Sequence, residues 1–189
     1  MSFQKLILAS ASPRRQEMLK DAGIAFTVQP AAIDEAGLAG ESPTACVQRL
    51  AELKASSVAA QYPGILVLGA DTLVVLQGKM FGKPGNLSEA REMLKEFSGR
   101  THDVLTGVSL VCFGQQPCTW CSRTKVTFKP LDKAAIEHYF QLVNPLDKAG
   151  AYAIQEYGSL LIEKISGLKS NVIGLPIEEV CHRLEELQA

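Results

Sequence analysis

The sequence predicts a mixed α/β fold. Three features point there. Apolar runs of strand length alternate with stretches of helical periodicity from the start of the chain, two strand-like runs then follow each other across Phe113-Gly-Gln-Gln-Pro117, and the helices carry clear end signals. Strict alternation would build a wholly parallel sheet, and the consecutive central pair makes it mixed. With 189 residues, 47% of them hydrophobic, the chain is long enough to bury roughly 70% of its unfolded surface. No linker, repeat or low-complexity tract interrupts a single domain over 1–189.

Strand-like runs fall at 5–9, 25–29, 65–76, 102–113, 119–129 and 159–165, and helical periodicity at 12–22, 42–60, 87–97, 132–142 and 176–187. Ser12 with Pro13 opens the first helix, Ser42-Pro43 the second, Ser88-Glu89 the third and Pro176 the last, while Gly23 and Gly99 close helices. Nineteen Lys and Arg against twenty Asp and Glu leave no global positive field of the kind that grips a nucleic-acid backbone, so any basic site is local. Leu6 to Ala9 is too short for a signal peptide, and Asp71 interrupts the longest apolar stretch, Ile65 to Leu76. No membrane span is expected, and the cytoplasm is the expected location. Five scattered cysteines suit a reducing compartment. Cys118-Thr-Trp-Cys121 has redox spacing but falls in the expected hairpin, and no second pair completes a zinc site.

Several residues are out of place for a plain core or surface. Arg14 and Arg15 occupy the first turn of a helix, where the macrodipole disfavours cations. They read either as receivers of an anion, phosphate foremost, or as a solvated surface pair. Lys54 lies on the apolar stripe Val47, Leu50, Ala51, Ala55 and Val58, where it either snorkels outward or meets an anion. Asp71 sits in a strand covered on both faces, and a buried carboxylate needs a partner or a metal. A salt bridge would serve, but Gly69 and Ala70 leave room for a ligand to approach the backbone, which favours a functional role.

Glu35, in the pair Asp34-Glu35, follows the second strand and offers a further hard oxygen of the kind Mg²⁺ accepts beside phosphate. Lys83, in Phe81-Gly-Lys-Pro84, follows a turn at Gly78. The run Gly78 to Lys83 is not a P-loop, because it is one residue short and Pro84 replaces the metal-binding hydroxyl. Gln155 offers a donor and an acceptor suited to a base edge, with small residues around it, though a surface glutamine would read the same way. The histidines fit no metal spacing, and no Ser or Cys sits in a nucleophile motif. Two arginines, two lysines and two carboxylates without a nucleophile match metal-assisted attack of water on a polyphosphate.

Taken in order, Leu8-Ala-Ser-Ala-Ser-Pro-Arg-Arg15, Asp34-Glu35, Arg49-Leu-Ala with Lys54-Ala55, Gly69-Ala-Asp-Thr72, Gly82-Lys-Pro84, Ser98-Gly-Arg, Thr106-Gly-Val108, Asp147-Lys-Ala-Gly-Ala-Tyr152, Ile154-Gln155 and Gly174-Leu-Pro176 resemble the motifs of the Maf family of nucleoside triphosphate pyrophosphatases. The resemblance implies an elongated, bent mixed sheet flanked by helices, similar to inosine triphosphatases, with a cleft between two lobes and a homodimeric assembly. It implies hydrolysis between the α and β phosphates of a nucleoside triphosphate with a divalent metal, Mg or Mn. Asp71 would be proton acceptor and metal ligand and Glu35 a second ligand. Lys54 and Lys83 join them as catalytic cations, and Ser10, Arg14 and Arg15 surround the triphosphate. Ser10 enters through the resemblance alone.

Substrate choice in that family tracks the positions of Arg14, Thr72 and Gln155. The branch acting on 7-methyl-GTP has Trp, Gln and Glu there and Ser in place of Ala70, so the resemblance implies the pyrimidine branch, acting on dTTP, UTP and sometimes modified pyrimidine triphosphates. One departure is Leu168-Lys169-Ser170, where the family often carries a small residue and an aromatic. An alternative of another class is a nucleotide-binding regulator of septum formation with incidental hydrolysis.

Overall fold

The computed structural model describes residues 5–187. In chain order its elements are β1 (Leu6–Leu8), α1 (Pro13–Asp21), β2 (Phe26–Val28), α2 (Pro43–Ala59), β3 (Leu66–Leu76), β4 (Lys79–Phe81), α3 (Leu87–Phe97), β5 (Thr101–Val111), β6 (Cys118–Phe128), α4 (Lys133–Leu142), β7 (Ile162–Ser166), α5 (Lys169–Ile173) and α6 (Ile177–Glu186). The strands pair in the order β2-β1-β3-β5-β6-β7, with β4 on β3. β1 runs parallel to β2 and to β3, whereas β3/β4 and β6/β7 are antiparallel. Ser109 with Thr119 and Thr101 with Thr127, hydroxyl to hydroxyl, mark β5 and β6 as an antiparallel hairpin. The sheet is therefore mixed, as the sequence predicts.

The chain divides into two compact units. The first runs to Asp71, resumes over Thr106–Ser122 and takes the chain from Gly174 onward; the second holds Thr72–Leu105 and Arg123–Ile173. In the first, Ile7, Ala9, Val67 and Val111 meet Ala55, Val58 and Ala59 of α2. In the second, Phe97 of α3 and Tyr139 of α4 are fully buried in a core with Val74, Phe81, Val104, Phe128 and Leu161.

α2 lies unusually close to the sheet because two strands carry glycine beneath it. A Cβ at Gly69 would collide with the Ala51 carbonyl oxygen and lie 2.8 Å from Ala55 N; one at Gly107 would collide with the Val47 carbonyl and lie 2.7 Å from Gln48 N. The space at Gly69 is thus filled by a helix backbone. This corrects the expectation that Gly69 and Ala70 leave room for a ligand.

Ser12 and Ser42 cap α1 and α2 by accepting from Arg15 N and Ala45 N. α3 is capped by Asn86, which accepts from Glu89 N, rather than opening at Ser88. The expected strand at 159–165 begins only at Ile162. Tyr157 adopts a left-handed backbone and Gly158–Leu160 forms a single 3-10 turn, which seats Leu161 in the core. β4 went unread because three residues carry no periodicity. Gln77 and Gly78, both at positive φ, form the two-residue turn that folds it back on β3.

Candidate active site

β1 has its sequence successor, β2, on one side and β3 on the other, so the chain reverses its winding direction at β1. Beyond the carboxyl ends of parallel strands at such a reversal, connecting segments diverge and leave a crevice suited to a ligand. Ser10, Arg14 and Arg15 follow the end of β1, and Glu35 lies in the segment between β2 and α2.

The same close approach that excludes a side chain at Gly69 aims α2 at Asp71. Alternation puts residues 69 and 71 on one face of β3, and Lys54 belongs to the helix turn packed on that face. Its Nζ donates to Asp71 Oδ1 at 2.7 Å and lies 3.0 Å from Glu35 Oε1. Lys54 and Asp71 are 7% and 8% exposed, whereas the Glu35 side chain is 58% exposed. The lysine therefore does not snorkel, and Asp71 does have a salt-bridge partner. Pairing and convergence coincide: one ammonium draws together carboxylates from two separate segments.

Arg15 joins this cluster through its charge. Its Nε donates to the Gly174 carbonyl at 2.8 Å and Nη1 to Ser10 Oγ at 3.2 Å, which fixes the guanidinium. Burial holds its pKa below the ordinary value; Asp71 counteracts that, Arg14 reinforces it and Glu35 counteracts it. Arg15 thus feels both carboxylates and its neighbouring arginine. Ser10 is buried, and its Oγ also accepts from Ser12 N at 3.2 Å. Arg14 is half-buried. In this unit the structure brings together Ser10, Arg14, Arg15, Glu35, Lys54 and Asp71.

The second unit holds the other three expected residues. Thr72 is half-buried in β3, Lys83 is exposed between β4 and α3, and Gln155 is exposed in the turn before Gly158. The glycines near Gln155 are not open to a flat ligand: a Cβ at Gly150 would meet Val74 and Phe97, and one at Gly158 would lie 3.1 Å from the Ala153 carbonyl.

The profile of a family described as Maf-like protein matches residues 5–187. The chain belongs to the Maf-like family. The Maf-like chain is 50% identical over 188 residues to a Moorella thermoacetica protein named dTTP/UTP pyrophosphatase, covering 99% of this chain and 95% of that one. It is 50% identical over 180 residues to a protein of the same name from Myxococcus xanthus (95% and 91% covered) and 47% identical over 184 residues to one from Symbiobacterium thermophilum (97% and 94%). In fold it is similar to a HAM1 protein from Coxiella burnetii, with a TM-score of 0.56, 18% identity and 96% and 98% of the two chains covered. The Staphylococcus aureus Ham1 protein gives a TM-score of 0.53 at 14% identity, covering 98% and 100%.

Two residues of this Maf-like chain that stand in its family motifs, but to which the sequence reading assigned no role, hold neighbouring segments in place. Arg49 grips Glu41 with Nε and Nη2 at 2.6 and 2.7 Å, and Nη2 also donates to the Ala36 carbonyl at 3.2 Å, tying the segment that carries Glu35 to α2. That bond holds the Glu41 carboxyl down to about 2. Lys148 is 4% exposed and joins Asp147, Glu156 and the Asn144 carbonyl. The partners that make each a brace are distant in sequence: Glu41 and Ala36 stand eight and thirteen residues before Arg49, and Glu156 eight after Lys148.

Proposed function

We propose that this chain hydrolyses nucleoside triphosphates, dTTP and UTP foremost, at the α–β phosphoanhydride bond, releasing the nucleoside monophosphate and pyrophosphate. The observation that carries the reading is the Lys54 ammonium held between Asp71 and Glu35 beside Arg15. A fold-only explanation would need one carboxylate to satisfy the buried lysine, and here two compete for it while further cations gather around them. The names of the relatives, at 47 to 50% identity over nearly the whole chain, support the same substrate class.

The donor set fits a divalent cation. Mg²⁺ commonly binds through one or two carboxylates and completes its shell with water and substrate phosphate, and Glu35 and Asp71 both reach the Lys54 nitrogen, at 3.0 and 2.7 Å, a position from which a cation between the two carboxylates would displace the ammonium. These two residues would hold Mg or Mn, which when bound supplies positive charge to the phosphate oxygens.

Asp71 orients the attacking water and accepts its proton. Lys54 balances the buried carboxylate and stands ready as a donor to phosphate. Arg14, Arg15 and Ser10 bind the phosphates and stabilise charge on the departing pyrophosphate. Lys83 is assigned to the triphosphate as well, and Thr72 and Gln155 to the base. We place the protein in the cytoplasm, in keeping with five cysteines of which none is joined in a disulfide. No helix among the described residues is long and apolar enough to cross a membrane.

The test is a panel of canonical and modified triphosphates, singly and in competition, with Mg or Mn, assayed for monophosphate and pyrophosphate. The expected result is pyrophosphate release ranked with dTTP and UTP first. Release of orthophosphate alone would overturn the cleavage site, and tight triphosphate binding without turnover would favour a regulator.

A further inference from the structure

Lys83 and Gln155 are exposed residues on irregular segments, yet the roles assigned to them require fixed positions. Both segments are tied to one stretch of chain, Lys148 to Ala153. Gly150 N donates to the Gly82 carbonyl at 2.9 Å, immediately before Lys83. Gly150 itself is held at φ 69° against Val74 and Phe97, with no space for a side chain. Ala153 N donates to the buried Tyr139 hydroxyl at 3.0 Å, and the Tyr152 hydroxyl meets His102 Nε2 at 2.8 Å. The stretch is thus anchored along its length. At its start, Lys148 Nζ donates to the Asn144 carbonyl at 2.9 Å and to Asp147 Oδ1 at 2.8 Å, and reaches Glu156 Oε2 at 3.3 Å. Glu156 is the residue after Gln155.

We infer that Lys148 is a positioning residue for base selection, holding the Gln155 turn through its ion pair with Glu156. The inference rests on the proposed triphosphate hydrolysis. A lysine is buried at a cost of several kcal/mol unless it is paired, and Asp147 alone would pair it. The second carboxylate comes from the turn that Gln155 occupies. The contact closes a loop between residue 148 and residue 156 and leaves Gln155, between anchored Ala153 and Glu156, little freedom beyond its own side chain. Because Gly150 also fixes the backbone ahead of Lys83, one strap sets the positions of a phosphate residue and a base residue within the same unit.

The experiment is a double-mutant cycle with Glu156→Gln and Gln155→Ala, each variant assayed with dTTP and with a purine triphosphate, and each melted. Glu156→Gln keeps the size of the side chain, and its partly exposed position lets the fold survive. The expected outcome is an unchanged melting temperature, a shift of about tenfold in the dTTP-to-purine ratio of kcat/KM carried mainly by KM, and no further shift when Glu156→Gln is added to Gln155→Ala. Lys148→Met is expected to give the same change of ranking, with a lower melting temperature. Glu156→Gln with wild-type ranking, or additive effects in the double variant, would overturn the inference while leaving the activity standing. A wild-type protein without triphosphate hydrolysis would remove the functional reading and the inference together.

Discussion

Substituting Gly69 by alanine should damage the site from beneath. The added Cβ would collide with the Ala51 carbonyl oxygen and lie 2.8 Å from Ala55 N and 3.0 Å from Ala55 Cβ. The first two are backbone atoms on successive turns of α2, so no rotamer change relieves the contact. Ordinary separations are about 3.5–4.0 Å between carbon atoms, which requires α2 to lift by on the order of 1 Å. Overpacking of that kind costs about 1–3 kcal/mol. For a chain this long each kcal/mol lowers the melting temperature by about 2–4 °C, giving a drop on the order of 5 °C.

The chemical consequence should be larger. Lys54 lies on the lifted part of α2 and Asp71 on the strand beneath, so their 2.7 Å contact opens by a similar distance. A misplacement of about 1 Å in a reacting constellation lowers rates about 100-fold. Thermal unfolding followed by circular dichroism and steady-state pyrophosphate release measure the two effects. A Gly69→Ala protein with wild-type melting temperature and wild-type kcat/KM would refute the argument that close helix packing sets the lysine–carboxylate geometry.

Asp71→Asn should lower kcat by about 10²–10⁴-fold, the usual contribution of a positioned general base, and undiminished turnover would remove Asp71 from the mechanism. Arg14→Ala and Gln155→Ala should each reorder the nucleotide preference in a competition assay, and a uniform loss over all triphosphates would assign them to phosphate alone. Chelation should abolish turnover and added Mg or Mn restore it, which an assay in excess chelator checks directly. His102 is buried among Phe97, Phe128 and Tyr152, and that burial lowers its pKa to about 4. The unfolded chain, with an ordinary imidazole near 6.5, binds the extra proton first, so stability falls as pH drops below that value, by about 2 kcal/mol between neutral pH and pH 5. Chemical denaturation at the two pH values should show this loss, and it should shrink in His102→Phe.

Much of the fold and of the charged cluster around Lys54 and Asp71 was legible because each signal was local. Ser12-Pro13 and Ser42-Pro43 announce helix starts at the residues where they occur, and a lysine on the stripe of Val47, Leu50 and Ala51 has to be buried with an anion or reach around it. Asp71 in an apolar strand poses the complementary demand, and the two proved to answer each other. The meaning of Gly69 was not legible. Its missing side chain serves a helix 14 to 18 residues upstream, which nothing adjacent in sequence reveals. Arg49 and Lys148 belong to the motifs that carry the family resemblance, yet their bracing contacts were not legible for the same reason, since a brace is defined by what it holds. Residues 159–161 were misread as the start of a strand because Leu160, Leu161 and Ile162 make an apolar run whatever the backbone does.

The most direct test of the central claim is a crystal structure with Mg²⁺ and a dTTP analogue whose α–β bridge cannot be hydrolysed. The account predicts the metal on Glu35 and Asp71, the α phosphate beside Asp71, and the β and γ phosphates on Arg14, Arg15 and Lys54. A triphosphate bound elsewhere, with Lys54 still closed on both carboxylates and no ion between them, would contradict it.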